Sequence, residues 1–437
     1  MQKRVLLIGG NYYPEPIGIG KYNGEMIEWL AQNGYECTVI TSFPYYPQWK
    51  IQQPYLKNSF WYKKETKFCK PFYENSIQIY RCPQYVPDNP SGAKRMLLGL
   101  SFFLTSSLIV LKLLTKRKYD IVITVAPSFE TGLLAIFYKF FKGGRFLYHI
   151  QDLQIDAARD LKMVKSKALL NAMFSIEKYI LKKADVISTV STGMMDKVKG
   201  KCNKQVDFFP NWVDAKVIFP ITNKGPLKEL FNFKSSDKIV LYSGAIGEKQ
   251  GLENIMLAAK AFTANTQLKF VICGSGPYLN KLETLKETLQ LSNVIFMPTQ
   301  PVEKLNCLLN MADLHLIIQK ANASDLVMPS KLTNILAVGG VAIVTALPDS
   351  SLFQLVSNNN VGIIAVPEDV ESLTKAILKG ITDNTNEIGM NALAYAKKHF
   401  SIGNIISTYT KNMLENANNV EENYQADKSF YPLRLNP

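Results

Sequence analysis

The sequence predicts an α/β protein made of two doubly wound, Rossmann-like parallel-sheet domains facing a central cleft. Three observations predict it. Short apolar runs of strand length alternate with amphipathic stretches of helix length along most of the chain, the pattern of βα units. The alternation breaks once, at FFPNWVDAKVIFP (208–220) and a polar stretch reaching Asp237, and then begins again. The second series opens on KIVLYSGAIGEKQGLEN (238–254), a strand, a three-glycine loop holding a lysine, and a helix. A chain of 437 residues divides naturally into two domains of about 200. The expected boundaries are 1–207, 208–400, and a closing helix with a polar tail over 401–437, the helix returning to the first domain.

In the first series, Lys3–Gly9 reads as a strand and about Gly20 to Gln32 as a helix closed by Asn33-Gly34. Gly18, Gly20 and Gly24 are spaced G-x-G-x-x-x-G, which is not the dinucleotide fingerprint, so a nicotinamide cofactor is disfavoured. The loop instead suits a bulky ligand approaching the helix end, although a loop that merely needs glycine turns would read the same. Glu36–Thr41 is the second strand. Residues 43–73 show no helix or strand period and mix aromatic residues with lysine and proline. Nucleic-acid grooves, membrane interfaces and Tyr-rich loops packed on their own domain all use such mixtures. After a strand at 77–81, Met96–Leu114 approaches the length of a membrane span with Lys112 its one charge. Its Ser101, Thr105, Ser106 and Ser107 favour a helix buried in the domain, one face toward lipid, over a true span. Strands follow at Asp120–Val125, Arg145–Ile150 and Asp185–Val190, with helices at 129–141 and 165–183 and Ser191-Thr192 as a helix cap. His149 and Asp152 stand at the carboxyl end of a strand, where open α/β sheets bind ligands. A satisfied structural histidine fits that position equally well.

The second series places strands near 238–242, 268–273, 293–297, 313–318, 341–345 and 361–366. In its opening loop Gly244, Gly247 and Gly251 flank Glu248-Lys249-Gln250. Glycines let backbone N–H groups approach a phosphate and the lysine adds a point charge, so the loop reads as an anion site or as an ordinary turn with a solvated lysine. In DLVMPSKLTNILAVGG (325–340), Pro329 and Ser330 start a helix with Lys331 in its first turn. A lysine there opposes the helix dipole unless an anion is bound.

Composition narrows the chemistry. The formal charge is +14. Residues 1–205 carry 30 Lys+Arg against 15 Asp+Glu, and residues 206–437 carry 20 against 21, so the first half holds the whole excess. A basic half implies an anionic partner. Six cysteines without a CxxC pair and three histidines give no zinc spacing and read as reduced thiols. No Asp-x-Asp occurs, so no carboxylate pair for a magnesium-bound diphosphate is present and no metal or cofactor is expected. The N-terminus runs straight into a strand pattern, which disfavours export.

NYYPEPIGIGKYNGEM, FPYYPQW, HIQDLQIDAA, PNWVD, GAIGEKQGLEN and MPSKLTNILAVGG stand in this order along the chain to about residue 418. Together they resemble the GT-B glycosyltransferases of family 4, and more closely the WcaI-type enzymes of colanic acid and other exopolysaccharide assembly. The resemblance implies a nucleotide-sugar donor, UDP- or GDP-linked, in the C-terminal domain and an acceptor in the N-terminal domain. It also implies retention of configuration and no metal. Carried over by residue, Lys249 would hold the donor diphosphate, with Gly244, Gly247 and Glu248 shaping the loop. Ser330, Lys331 and Asn334 would meet the donor's phosphates or sugar. Gly18 and Gly20 would border the diphosphate, and His149 would lie beside the transferred sugar. The chain departs from the family pattern at Ala245, where many members carry arginine, and at Leu326 and Asn334, where many carry paired glutamates. The donor's base and sugar therefore stay open.

The implied acceptor, a polyprenyl-diphosphate-linked or free saccharide, and the basic half together lead to an enzyme peripheral on the cytoplasmic face of an anionic membrane. Trp61, Lys63, Lys64 and Lys67 are the expected surface residues. A GT-B nucleotide-sugar epimerase is the runner-up. A basic nucleic-acid-binding protein is a weaker alternative, because nothing in the second half serves a nucleic acid.

Overall fold

The computed structural model describes residues 2–15, 18–69, 76–160, 164, 166–321, 331–348 and 350–414. The chain divides into two compact units, Met1–Pro210 and Asn211–Pro437.

The first unit holds strands β1 (Arg4–Ile8), β2 (Glu36–Ser42), β3 (Lys63–Phe68), β4 (Ser76–Cys82), β5 (Ile121–Ala126), β6 (Arg145–Ile150), β7 (Val186–Thr189) and β8 (Asp207–Phe208). They form one sheet in the order β3-β4-β2-β1-β5-β6-β7-β8. All neighbours are parallel except β3, which runs antiparallel to β4. The central strands RVLLI and IVITVA are buried along their whole length, as strands covered on both faces must be. The helices are α1 (Gly18–Gln32), α2 (Gly92–Leu114), α3 (Thr131–Lys142), α4 (Gln154–Asp160), α5 (Lys167–Lys183) and α6 (Thr192–Lys199). Ser191 caps α6 as the sequence predicts, its side chain accepting from the Met194 N–H.

Strand β3 corrects the reading of 43–73 as aperiodic. KKETKF has a single apolar residue, Phe68, and that side chain is exposed, so hydrophobic alternation carries no signal. The strand lies at the sheet edge, where lysines discourage pairing with another chain. Helix α2 is half buried. Leu98, Phe102, Ser106, Ile109, Val110 and Leu113 are covered, and the helix packs on β2, β4 and α3.

The second unit contains α7 (Gly225–Leu230), β9 (Lys238–Ser243), α8 (Glu253–Lys260), β10 (Leu268–Cys273), α9 (Leu279–Thr288), β11 (Val294–Met297), α10 (Val302–Met311) and β12 (Leu314–Ile317). It continues with α11 (Lys331–Ala337), β13 (Ala342–Thr345), α12 (Ser351–Asn359), β14 (Gly362–Ala365), α13 (Val370–Thr382), α14 (Asn386–His399) and α15 (Ile402–Leu414). Its sheet is wholly parallel, in the order β11-β10-β9-β12-β13-β14. The strand order reverses between β9 and β12, and in the first unit between β1 and β5. Ligands of open α/β sheets bind beyond the carboxyl ends of strands at such reversals. Residues 213–221, which read as connection from sequence, are fastened within the second unit. Val213 N–H donates to the Phe400 carbonyl (2.8 Å), and the Phe219 and Ile221 N–H groups donate to Asn306 Oδ1 and Asn310 Oδ1.

Candidate functional site

At the reversal of the second sheet, the loop after β9 locks into the loop after β10. Gly244 N–H donates to the Cys273 carbonyl (2.9 Å), Ile246 N–H to the Ser275 carbonyl (2.9 Å), and Tyr278 N–H to the Ile246 carbonyl (3.2 Å). The contact needs glycine. A Cβ on Gly274 would stand 1.9 Å from the Gly244 oxygen, and one on Gly276 2.1 Å from the Ile246 oxygen. Residues 248–250 form a single 3₁₀ turn closed by Gly251 at φ +63°, a left-handed conformation that glycine adopts without a side-chain penalty. Glu248 and the Lys249 backbone lie in this turn. The Lys249 side chain lies outside the described residues, as does Ser330.

Lys331 starts α11, the helix that follows β12, and reaches back to this loop. Its Nζ sits 3.8 Å above the centre of the Tyr242 ring. It would also be 3.3 Å from a Cβ on Gly244. The Tyr242 hydroxyl donates to the Ala245 carbonyl (2.7 Å), so the ring that carries the ammonium also pins the loop. Among the described residues Lys331 Nζ is buried without a hydrogen-bond partner, and so is Asn334 Oδ1 three residues further along the helix. Residues three apart share a helix face. Burial pushes the Lys331 ammonium down to about 7. A cation–π contact returns part of the lost hydration.

In the first unit the loop after β1 is fixed from two sides. Glu15 accepts from the backbone N–H groups of Tyr45 (3.0 Å) and Tyr46 (2.9 Å) and from Asn11 Nδ2 (2.9 Å). Buried Arg81 donates to the carbonyls of Ser42 (3.2 Å) and Tyr13 (2.9 Å) and to Glu65 on β3 (2.7 Å). Gly18 has φ +62° at the start of α1, and Gly20 is buried where a Cβ would lie 2.5 Å from Glu15 Oε2. Gly20 thus has a packing reason of its own. His149 ends β6 and is buried, its Nδ1 3.0 Å from Ser188 Oγ and its ring 4.9 Å from that of Phe209. Burial pushes its pKa down to about 3, so the imidazole is neutral at ordinary pH.

Four features escape a reading of the sequence alone. Gly274 and Gly276 follow a predicted strand in CGSGP, a spacing that marks a second glycine loop. Tyr242 reads only as a strand residue, and Glu15 only as part of a loop. Glu130, at the start of α3 beyond β5, has an oxygen buried without a partner among the described residues, and burial pushes its carboxyl up to about 7. Of the expected surface residues, Trp61 is exposed, while Lys63 pairs with Glu65 (2.8 Å) and Lys67 with Glu28 (2.7 Å). Lys64 lies 5.8 Å over the Tyr80 ring.

Comparison with known proteins agrees with this architecture. The family model of the glycosyl transferase 4-like domain matches residues 18–212, and that of the glycosyl transferases group 1 matches residues 225–399. The candidate colanic acid biosynthesis glycosyl transferase WcaI of Escherichia coli (strain K12) is 39% identical over 387 residues, covering 86% of this chain and 92% of that protein. Among solved structures, sucrose-phosphate synthase from Thermosynechococcus elongatus superposes with a TM-score of 0.72 at 17% identity, over 94% of this chain and 98% of its own. Anabaena HepE in complex with UDP-glucose does so with a TM-score of 0.67 at 12% identity, over 94% and 99%. These two share the fold. With both halves matched by glycosyl transferase families and a relative this similar over nearly its whole length, the chain belongs to the WcaI-like group of the GT-B glycosyltransferases.

Proposed function

We propose that the protein transfers a glycosyl group, with retention of configuration, from a UDP- or GDP-sugar to a lipid-linked or saccharide acceptor in the assembly of an exopolysaccharide. The observation that carries this reading is the buried ammonium of Lys331, without a hydrogen-bond partner among the described residues, beside the glycine loops of the second unit. The leaving group of such a transfer is a nucleoside diphosphate. Fixed cations and backbone N–H groups aimed at its growing charge lower the barrier more than other devices open to an enzyme. Lys331 and Lys249 supply the cations, Gly244 and Gly247 the close backbone approach, and Asn334 and Ser330 the polar contacts, with no metal ion. Gly18 and Gly20 border the diphosphate, and neutral His149 orients the transferred sugar. HepE, whose fold this chain shares, was solved with UDP-glucose, which supports a nucleotide-sugar donor. The basic first unit takes the acceptor at the cytoplasmic face of an anionic membrane, with Trp61, Lys63, Lys64 and Lys67 near that surface.

A thermal-shift screen of nucleotide sugars tests the donor half, because a ligand that binds only the folded protein raises its melting temperature. At least one UDP- or GDP-sugar should raise it in excess EDTA. A shift that appears only with added Mg²⁺ or Mn²⁺ would contradict the metal-free site, and no shift with any nucleotide sugar would contradict the donor.

A further inference from the structure

Helix α2 presents an apolar stripe that stays exposed beside the described residues of its own unit. Leu97, Leu100, Leu104, Leu108 and Leu111 are each between 47% and 57% exposed. At 3.6 residues per turn these five fall within an arc of about 80° and run for about 21 Å along the helix. The opposite face, through Phe102, Ile109 and Leu113, is fastened to the sheet and to α3. Helix α3, packed beside α2, ends in a second apolar group. Phe140 is 81% exposed and Phe141 58%, and their rings are edge-on at 5.0 Å. The Trp61-Tyr62 corner is held beside α2 by the Tyr62 hydroxyl, which donates to the Thr105 carbonyl (3.0 Å), and leaves the Trp61 ring exposed.

The charges around this face have one sign. Neither α2 nor α3 contains an Asp or Glu. Lys94 and Lys112 flank one side of the leucine stripe, and Lys116, Arg117 and Lys118 follow its end, all of them exposed. Two copies of this chain meeting through the stripe would bring like charges together. An anionic lipid headgroup layer would meet cations at its own level and leucines and phenylalanines below it, the arrangement of helices that lie in a membrane interface. The 23-residue α2 is long and apolar enough to cross a bilayer. Its attachment along one face to the sheet of its own unit, however, leaves only the other face for lipid.

We infer that the leucine stripe of α2 and the Phe140-Phe141 tip of α3 form one docking face, which inserts in-plane into the outer acyl region of an anionic bilayer. This deepens the proposed membrane-side acceptor reading and rests on it. It assigns the anchoring to apolar insertion on α2 and α3, with Trp61 at the rim.

The full chain should co-sediment with sucrose-loaded vesicles of phosphatidylglycerol and phosphatidylethanolamine more than with vesicles of phosphatidylcholine alone, and high salt should release only part of it. The double variant Leu104→Glu/Leu108→Glu and, separately, Phe140→Ser/Phe141→Ser should each cut the bound fraction by roughly tenfold or more. Both pairs are exposed, so melting temperature and the thermal shift with nucleotide sugars should stay as in the wild type. Wild-type levels of vesicle binding in both variants would overturn the inference, as would a wild-type dimer without vesicles that the leucine variant splits. Vesicle binding lost in the variants while no nucleotide sugar shifts the wild type would leave the docking face standing and sink the donor reading instead.

Discussion

Lys331 holds a buried ammonium on a tyrosine ring, with no hydrogen-bond partner among the described residues, and that burial sets its response to pH. In the unfolded chain a lysine keeps its proton up to an ordinary value of 10.5, whereas in the folded protein Lys331 keeps it only below about 7. Between those values the unfolded state binds more protons, so stability rises with pH across that window. Lys331→Met should flatten that rise and, at pH 7, leave the fold about 1–2 kcal/mol more stable, read from denaturant midpoints. If Lys331 holds the donor diphosphate as proposed, donor binding above pH 7 should take up a proton and weaken as pH climbs, read from titrations at several pH values. Glu130 also titrates near 7, but in the first unit, so any pH dependence due to it survives in Lys331→Met. His149 is neutral throughout and should contribute no ionisation to the kcat profile between pH 5 and 9. His149→Ala should lower kcat by about tenfold or more while changing donor affinity little, and an unchanged kcat would return the residue to a purely structural role. Lys249→Ala should cost about 10²–10³ in kcat if its charge meets the leaving diphosphate, and near-normal turnover would remove it from that role.

At the scale of elements, the proposed site rests on two loops joined by backbone hydrogen bonds and packed together at glycines. Gly274→Ala would drive a methyl into the Gly244 carbonyl, with an expected loss of about 1–3 kcal/mol in stability and a larger loss in donor binding, seen as a lower melting temperature with a smaller nucleotide-sugar shift. An unchanged shift would mean that the loops are not coupled to the ligand. The same scale shows what is legible in the sequence. Strands buried on both faces declare themselves as apolar runs, which is why β6 and β10 match their predicted limits, 145–150 and 268–273, residue for residue. Strand β3 is invisible because an edge strand of lysines buries almost nothing. Helix α2 is readable as apolar, but which of its faces is covered depends on β2, β4 and α3, contacts that no local pattern encodes. At the site, the glycine loop and Lys331 are legible from residue type and position. The burial of that ammonium, its seat on Tyr242 and the interlock with Gly274 and Gly276 are not, since each joins residues about 30 positions apart or more, or depends on desolvation.

Across the whole molecule, charge is divided unevenly between the two units. The first unit carries the positive excess and the exposed apolar helices, and the second, nearly neutral, carries the glycine loops and the buried lysine. A neutral unit in which Lys331 is a buried cation without a partner among the described residues suits a small dianionic leaving group, while a broad basic surface suits an extended anionic one. Family membership makes the protein a glycosyltransferase; the central claim beyond that is a donor held through Lys331 and the locked loops. The most direct test is an equilibrium titration of the full chain with UDP- and GDP-sugars at pH 7, comparing wild type with Lys331→Met. The wild type should bind at least one nucleotide sugar saturably, and the variant should lose about 2–3 kcal/mol, roughly a hundredfold, in affinity. Equal affinity in the two proteins, or no binding of any nucleotide sugar by the wild type, would contradict the claim.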